Sequence, residues 1–151
     1  MVITCSDTRT FETDISGQLI RKLLEERGHT VVGSHLVKDD PAQIQLWIAR
    51  GTTNEAVQAI VINGGTGISR RDSTFEAVDE LLEKRLDGFG EIFRLLTYQA
   101  IGSPAIMSRA TAGIIKSCVV FSIPGSENAV RLAMEKLILP ELGHLVRELS
   151  K

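Results

Sequence analysis

Two periods of apolar and polar residues alternate along this chain. Short β-branched runs at Val2-Ile3-Thr4-Cys5, His29–Val37, Ala59–Asn63 and Ser117–Ile123 read as buried strands. Between them lie segments with helical spacing. Leu19, Ile20, Leu23 and Leu24 share one face of a helix that Gly28 ends. Ile44, Trp47 and Ile48 mark a second helix, with Asp40 as N-cap, Pro41 at its first position and Gly51 at its end. Phe75, Val78, Leu81 and Leu82 predict a third, broken by Gly88-Phe89-Gly90, after which Glu91–Ala100 resumes the period. Gly102-Ser103-Pro104 breaks the chain again before a short helical segment from about Ala105 to Ala112. A helix around Val130–Leu137 follows the last strand, and Pro140 separates a final one ending near Leu149. This alternation predicts one α/β domain over residues 1–151: a mostly parallel sheet with helices on both faces, in three layers. The first strand starts almost at residue 1, which suggests that the true N-terminus is missing or disordered.

Composition narrows the function. The 151 residues are 43% apolar and 24% charged, ordinary for a globular domain, and the net charge of −2 argues against nucleic-acid or membrane-surface attraction. The apolar runs are too short to span a bilayer and no secretory signal is visible, so a cytoplasmic location is expected. Cys5 and Cys118 sit in strand-like runs, as buried thiols of a reducing compartment do, and no Cys/His spacing suggests zinc.

The chemistry concentrates behind the third strand, where Gly64, Gly65 and Gly67 precede Arg70, Arg71, Asp72 and a helix starting near Thr74. Glycine lets backbone amides approach a phosphate, a helix start adds donors, and arginine adds charge-assisted bonds. Asp72, ionised beside two arginines, can hold magnesium between carboxylate and phosphate. In open parallel sheets ligands bind beyond the carboxyl ends of the strands. Four loops leave such ends: Ser6–Asp14, Lys38–Asp40, Gly64–Asp72 and Pro124–Asn128. Ser126 is most economically an N-cap. His29, His35 and His144 lie outside all four loops, which argues against a histidine base. Carboxylates, a divalent metal and arginines suit nucleotidyl or phosphoryl transfer, where positioning and electrostatics do most of the catalysis. The loop is neither a Walker A motif, since Gly67 is followed by Ile68-Ser69-Arg70, nor a dinucleotide fingerprint, which follows a first strand.

Taken together, Thr4-Cys5-Ser6-Asp7-Thr8-Arg9, Asp14-x-Ser16-Gly17, Asp39-Asp40-Pro41, Gly64–Asp72, Gly88–Glu91, Ser108-Arg109 and Pro124-Gly125-Ser126 resemble the MoaB/MogA family of molybdenum-cofactor biosynthesis proteins, and more closely its MoaB branch. The resemblance implies a molybdopterin-binding fold, assembled as a trimer or a dimer of trimers. It implies adenylation of molybdopterin from magnesium-ATP with release of pyrophosphate, or, alternatively, a non-catalytic molybdopterin carrier or scaffolding unit of the same fold. The family's two important aspartates fall on Asp39 and Asp72, assigned to catalysis and to magnesium. Gly64, Gly65, Thr66, Gly67 and Arg71 would hold phosphate, with Ser6, Asp7, Thr8, Asp14 and Ser126 lining the site. The apolar residues Phe89, Phe93, Tyr98, Ile101 and Ile106 are expected to supply the contact between copies, and Trp47 and Met107 to be core.

Overall fold

A computed structural model describes residues 1–151. Six strands form one sheet in the order β2-β1-β3-β6-β5-β4: β1 (Val2–Cys5), β2 (Ser34–Val37), β3 (Ala59–Asn63), β4 (Lys84–Arg85), β5 (Thr111–Ile115) and β6 (Cys118–Ile123). The pairs β1–β2, β1–β3 and β3–β6 are parallel, while β4–β5 and β5–β6 are antiparallel. Alternate residues of the parallel strands feed two cores. Val2, Val61, Val119 and Phe121 face one side, under helices α1 (Ile15–Glu26), α4 (Asp87–Ile101), α5 (Glu127–Ala133) and α6 (Leu139–Leu149). Ile3, Cys5, Ile60, Ile62 and Val120 face the other, under α2 (Pro41–Thr53) and α3 (Thr74–Asp79). The expected three-layer α/β architecture is therefore present.

Several boundaries differ from expectation. The second strand is only Ser34–Val37. Asp40 does occupy the N-cap position of α2, but its side chain makes no capping bond. Gly88-Phe89-Gly90 does not break a helix; it lies in the first turn of α4. Gly90 sits there because Ala110 O approaches closely enough to crowd any Cβ. The segment expected as a helix up to Ala112 is a 3₁₀ turn, Ser103–Met107, followed by strand β5. Pro140 does not separate two helices either: Glu127–Leu149 is one continuous rod with a π-type turn over Met134–Ile138, where Leu139 N–H donates to Met134 O. Trp47 packs at the margin of the second core, stacked on His35 at 3.9 Å between ring centres. Met107 is not core at all but 49% exposed.

Candidate functional site

The chain reverses its winding between β1 and β3. From β1 it passes through α1 on one face to β2, and from β2 through α2 on the other face to β3. The loops leaving β1 and β3 part there, as at the switch point where open α/β sheets bind ligands. A cleft of about 740 Å³ opens above this point and extends across β6. Its polar wall comes from Ser6, Thr8, Arg9, the turn Gly64–Gly67, Asp72 and the turn Pro124–Ser126. Its apolar wall comes from Phe93, Ala100, Ile101, Met107 and Leu132. Cys5 is at the floor, but burial pushes its thiol up to about 12, so it is no nucleophile at neutral pH.

Two glycine turns meet in the polar wall. Gly64 has φ of +100° and packs so tightly on Cys5 O that a side chain would collide with it. A Cβ on Gly125 would lie 3.1 Å from Gly64 Cα, so the turns touch backbone to backbone. The amides of Gly65, Thr66, Gly67 and Ile68 donate to no protein acceptor, nor do those of Gly125, Ser126, Glu127 and Asn128. The last two belong to the start of α5, where free amides are ordinary. Gly65–Ile68 lies well before α3, and its free amides are a property of the turn. The carbonyls of Gly65, Thr66, Gly67 and Gly125, by contrast, are occupied. Thr74 N–H donates to Gly65 O at 3.0 Å, and Arg109 donates to Thr66 O at 2.9 Å and to Gly67 O. Gly125 O accepts from Arg9 Nη2 at 2.9 Å and from Ser16 Oγ at 2.7 Å.

The aspartates divide by what they hold. Asp72 Oδ2 accepts from Ser69 N–H at 3.1 Å, drawing the loop back on itself at the rim of the cleft. Asp39 lies outside the cleft wall and uses Oδ1 to accept from Ser73 N–H at 3.1 Å, Ser73 Oγ at 2.8 Å and Thr74 Oγ1 at 3.3 Å. It thereby caps α3 from a distant loop, with its Oδ2 against Gly65. Asp7, also outside the wall, accepts from Asp39 N–H at 3.1 Å. Asp14 is the N-cap of α1, accepting from Gly17 N–H at 3.0 Å and facing Arg9 at 3.6 Å. Arg71 is exposed on the loop beyond the wall. Ser6, Thr8, Gly64–Gly67, Asp72 and Ser126 thus converge on the cleft, while Asp7, Asp14, Asp39 and Arg71 stand behind or beside it. No three His, Cys, Asp or Glu side chains converge anywhere as a self-sufficient metal site.

Arg9 and Arg109 stand in the motifs that carry the resemblance, and Phe93, Ile101 and Met107 in the apolar pattern, but none of them has a site role in the sequence reading. A lone arginine in the apolar stretch 95–115 was the available signal for Arg109. It pairs with Glu76, whose carboxyl it holds below the usual range, and its guanidinium lies 5.1 Å from the centre of the Phe75 ring.

The family described as the probable molybdopterin binding domain matches residues 1–144. The chain is 53% identical to molybdenum cofactor biosynthesis protein B of Halalkalibacterium halodurans, over 100% of this chain and 89% of that one. It is 56% identical to the protein of the same name from Bacillus subtilis, over 99% and 89%. Among solved structures, a crystal structure of molybdenum cofactor biosynthesis protein B superposes with a TM-score of 0.96 at 55% identity, covering 99% of this chain and 93% of that one.

Proposed function

The chain belongs to the MoaB branch of the molybdopterin-binding domain family, and from that premise we propose that it binds molybdopterin and adenylates it from magnesium-ATP, releasing pyrophosphate. The observation that carries the reading is the pair of touching glycine turns with unpartnered amides at the switch point. Such amides suit phosphate oxygens, because backbone donors fixed in place need no reorganisation as charge shifts. The facing apolar wall suits the flat, less polar part of the same ligand. In the transfer, an acceptor oxygen of molybdopterin bonds to the α-phosphorus while the bond from that phosphorus to the bridging oxygen breaks. Positioning and charge stabilisation do this work, which fits a site without a histidine base or a reactive thiol.

Magnesium would enter with the nucleotide. The donor set fits it: Mg²⁺ takes one or two carboxylates together with phosphates and waters. Asp72 keeps Oδ1 and Asp39 keeps Oδ2 outside the hydrogen bonds described above. We assign both to the metal-bearing phosphates. The exposed apolar residues Ile92, Leu95, Tyr98, Ile101 and Ile106 on α4 and the adjoining 3₁₀ turn are assigned to contact between copies in a trimer or dimer of trimers. No helix is long and apolar enough to cross a membrane.

The test is pyrophosphate release from magnesium-ATP with and without molybdopterin, in the parent protein and in Asp72→Ala. Release is expected only with molybdopterin and only in the parent. The variant should keep its fold to within about 1 kcal/mol, since Asp72 holds a single loop amide. Tight molybdopterin binding without release would identify a carrier or scaffolding protein that has the site but not the reaction.

A further inference from the structure

We propose that Arg109 is a positioning residue that works through the backbone carbonyls of Thr66 and Gly67, turning the Gly67 and Ile68 amides away from α3 and toward the cleft side of the loop. The proposal deepens the reading above and rests on it only for the class of ligand, a phosphate ester or pyrophosphate. Arg109 is not part of the cleft wall, so it acts on the loop and not on the ligand. Its Nε donates to Thr66 O at 2.9 Å and its Nη2 to Gly67 O, while Thr74 N–H takes Gly65 O at 3.0 Å. All three bonds come from one side of the loop, because Thr74 begins α3 and Arg109 is braced by Glu76 and Phe75 of the same helix.

Peptide planarity completes the argument. No peptide bond here is cis, and in a trans unit the C=O of one residue and the N–H of the next point in opposite directions. Holding the oxygens of Gly65, Thr66 and Gly67 toward α3 therefore directs the N–H groups of Thr66, Gly67 and Ile68 away from it. Those amides meet no protein acceptor, and Thr66 and Gly67 form the cleft wall on that side. One guanidinium spans two consecutive carbonyls with its planar fork; an ammonium group is a single point of attachment and reproduces the span poorly. Glu76 has a distinctive place in this scheme. By simple electrostatics, removing a carboxylate near an anion site should strengthen anion binding. If Glu76 braces Arg109, removing it should weaken binding instead.

Backbone amide relaxation by NMR in the ligand-free protein, together with calorimetric titration of inorganic pyrophosphate, tests this in the parent, Arg109→Ala, Arg109→Lys and Glu76→Ala. Order parameters of the Gly67 and Ile68 amides are expected to fall from about 0.85 to below about 0.6 in Arg109→Ala. Pyrophosphate binding should weaken by about tenfold there, the loss of one charge-assisted contact network. Arg109→Lys should recover only part of this, and Glu76→Ala should bind pyrophosphate more weakly than the parent. Unchanged order parameters in Arg109→Ala, or tighter binding in Glu76→Ala, would overturn the proposal. If Arg109→Ala fails to fold, Arg109→Lys and Glu76→Ala decide by the same two readouts. A parent that ignores pyrophosphate while the variant's loop loosens would refute the anion reading of the cleft and support the clamp.

Discussion

The two glycine turns over the sheet are alike in chemistry and differ in what holds the helix that follows each. Pro124–Ser126 is short and leads directly into α5, whose N-cap is its own Ser126, accepting from Ala129 N–H at 3.3 Å. Gly64–Ser73 is longer, and the helix after it is capped by Asp39, 34 residues earlier, because Ser73 makes no capping bond of its own. Both turns take long-range bonds, Gly125 O from Arg9 and Ser16 and the longer loop from Arg109 and Asp39, and the longer loop adds local ones between Ser69 and Asp72; only its helix start is held by a distant residue. A loop held from outside keeps its own backbone amides free for a ligand. It also makes the loop dependent on strand order, since Asp39 follows β2 and Arg109 precedes β5.

The contrast can be broken most severely at Gly64. Gly64→Ala would place a Cβ against Cys5 O at a φ of +100°, so a loss of about 3 kcal/mol or more is expected in chemical denaturation. A loss below about 1 kcal/mol would mean that the turn moves freely and that its close packing matters little. Next comes the remote cap. Asp39→Ala removes the acceptor of Ser73 N–H, Ser73 Oγ and Thr74 Oγ1, and should cost about 2 kcal/mol, with Asp39→Asn restoring part of it. If Asp39→Ala were as stable as the parent, the difference in support between the turns would disappear. The smallest effect is expected at the local cap: Ser126→Ala should cost about 1 kcal/mol, measured in the same denaturation series. A cost at Ser126 exceeding that at Asp39 would reverse the comparison.

These differences also explain what could be read in advance. Ser126 was legible as an N-cap because capping by Ser three residues before its donor is a local pattern. Asp14 and Asp39 sit in loops where carboxylates suggest a site, and both hold helix starts, Asp39 through Oδ1 alone; only three-dimensional contacts tell which carboxylate oxygen is engaged. The helix expected up to about Ala112 overlaps the first two residues of strand β5, because alanine carries little strand propensity. Gly113 is there so that β4 can approach, as a Cβ would run into Lys84 O. Phe93, expected at the contact between copies, is buried in the first core, and Met107, expected in the core, lines the cleft, for a related reason: hydrophobic period identifies a helix face but not what covers it. Met107 is the plainest instance.

By itself the sequence determined the alternation of strands and helices, the parallel half of the sheet, the loops at its carboxyl edge and the glycine turn among them. Periodicity, turn chemistry and local caps are short-range effects, and they act within a few residues. Only the tertiary structure decided which loops meet, which aspartates face inward, and that an arginine 43 residues beyond Thr66 would orient its peptide plane. Those outcomes depend on strand order and on the antiparallel extension β5–β4, which brings Arg109 over α3. No local pattern encodes a contact whose partners the chain brings together only after the sheet has assembled.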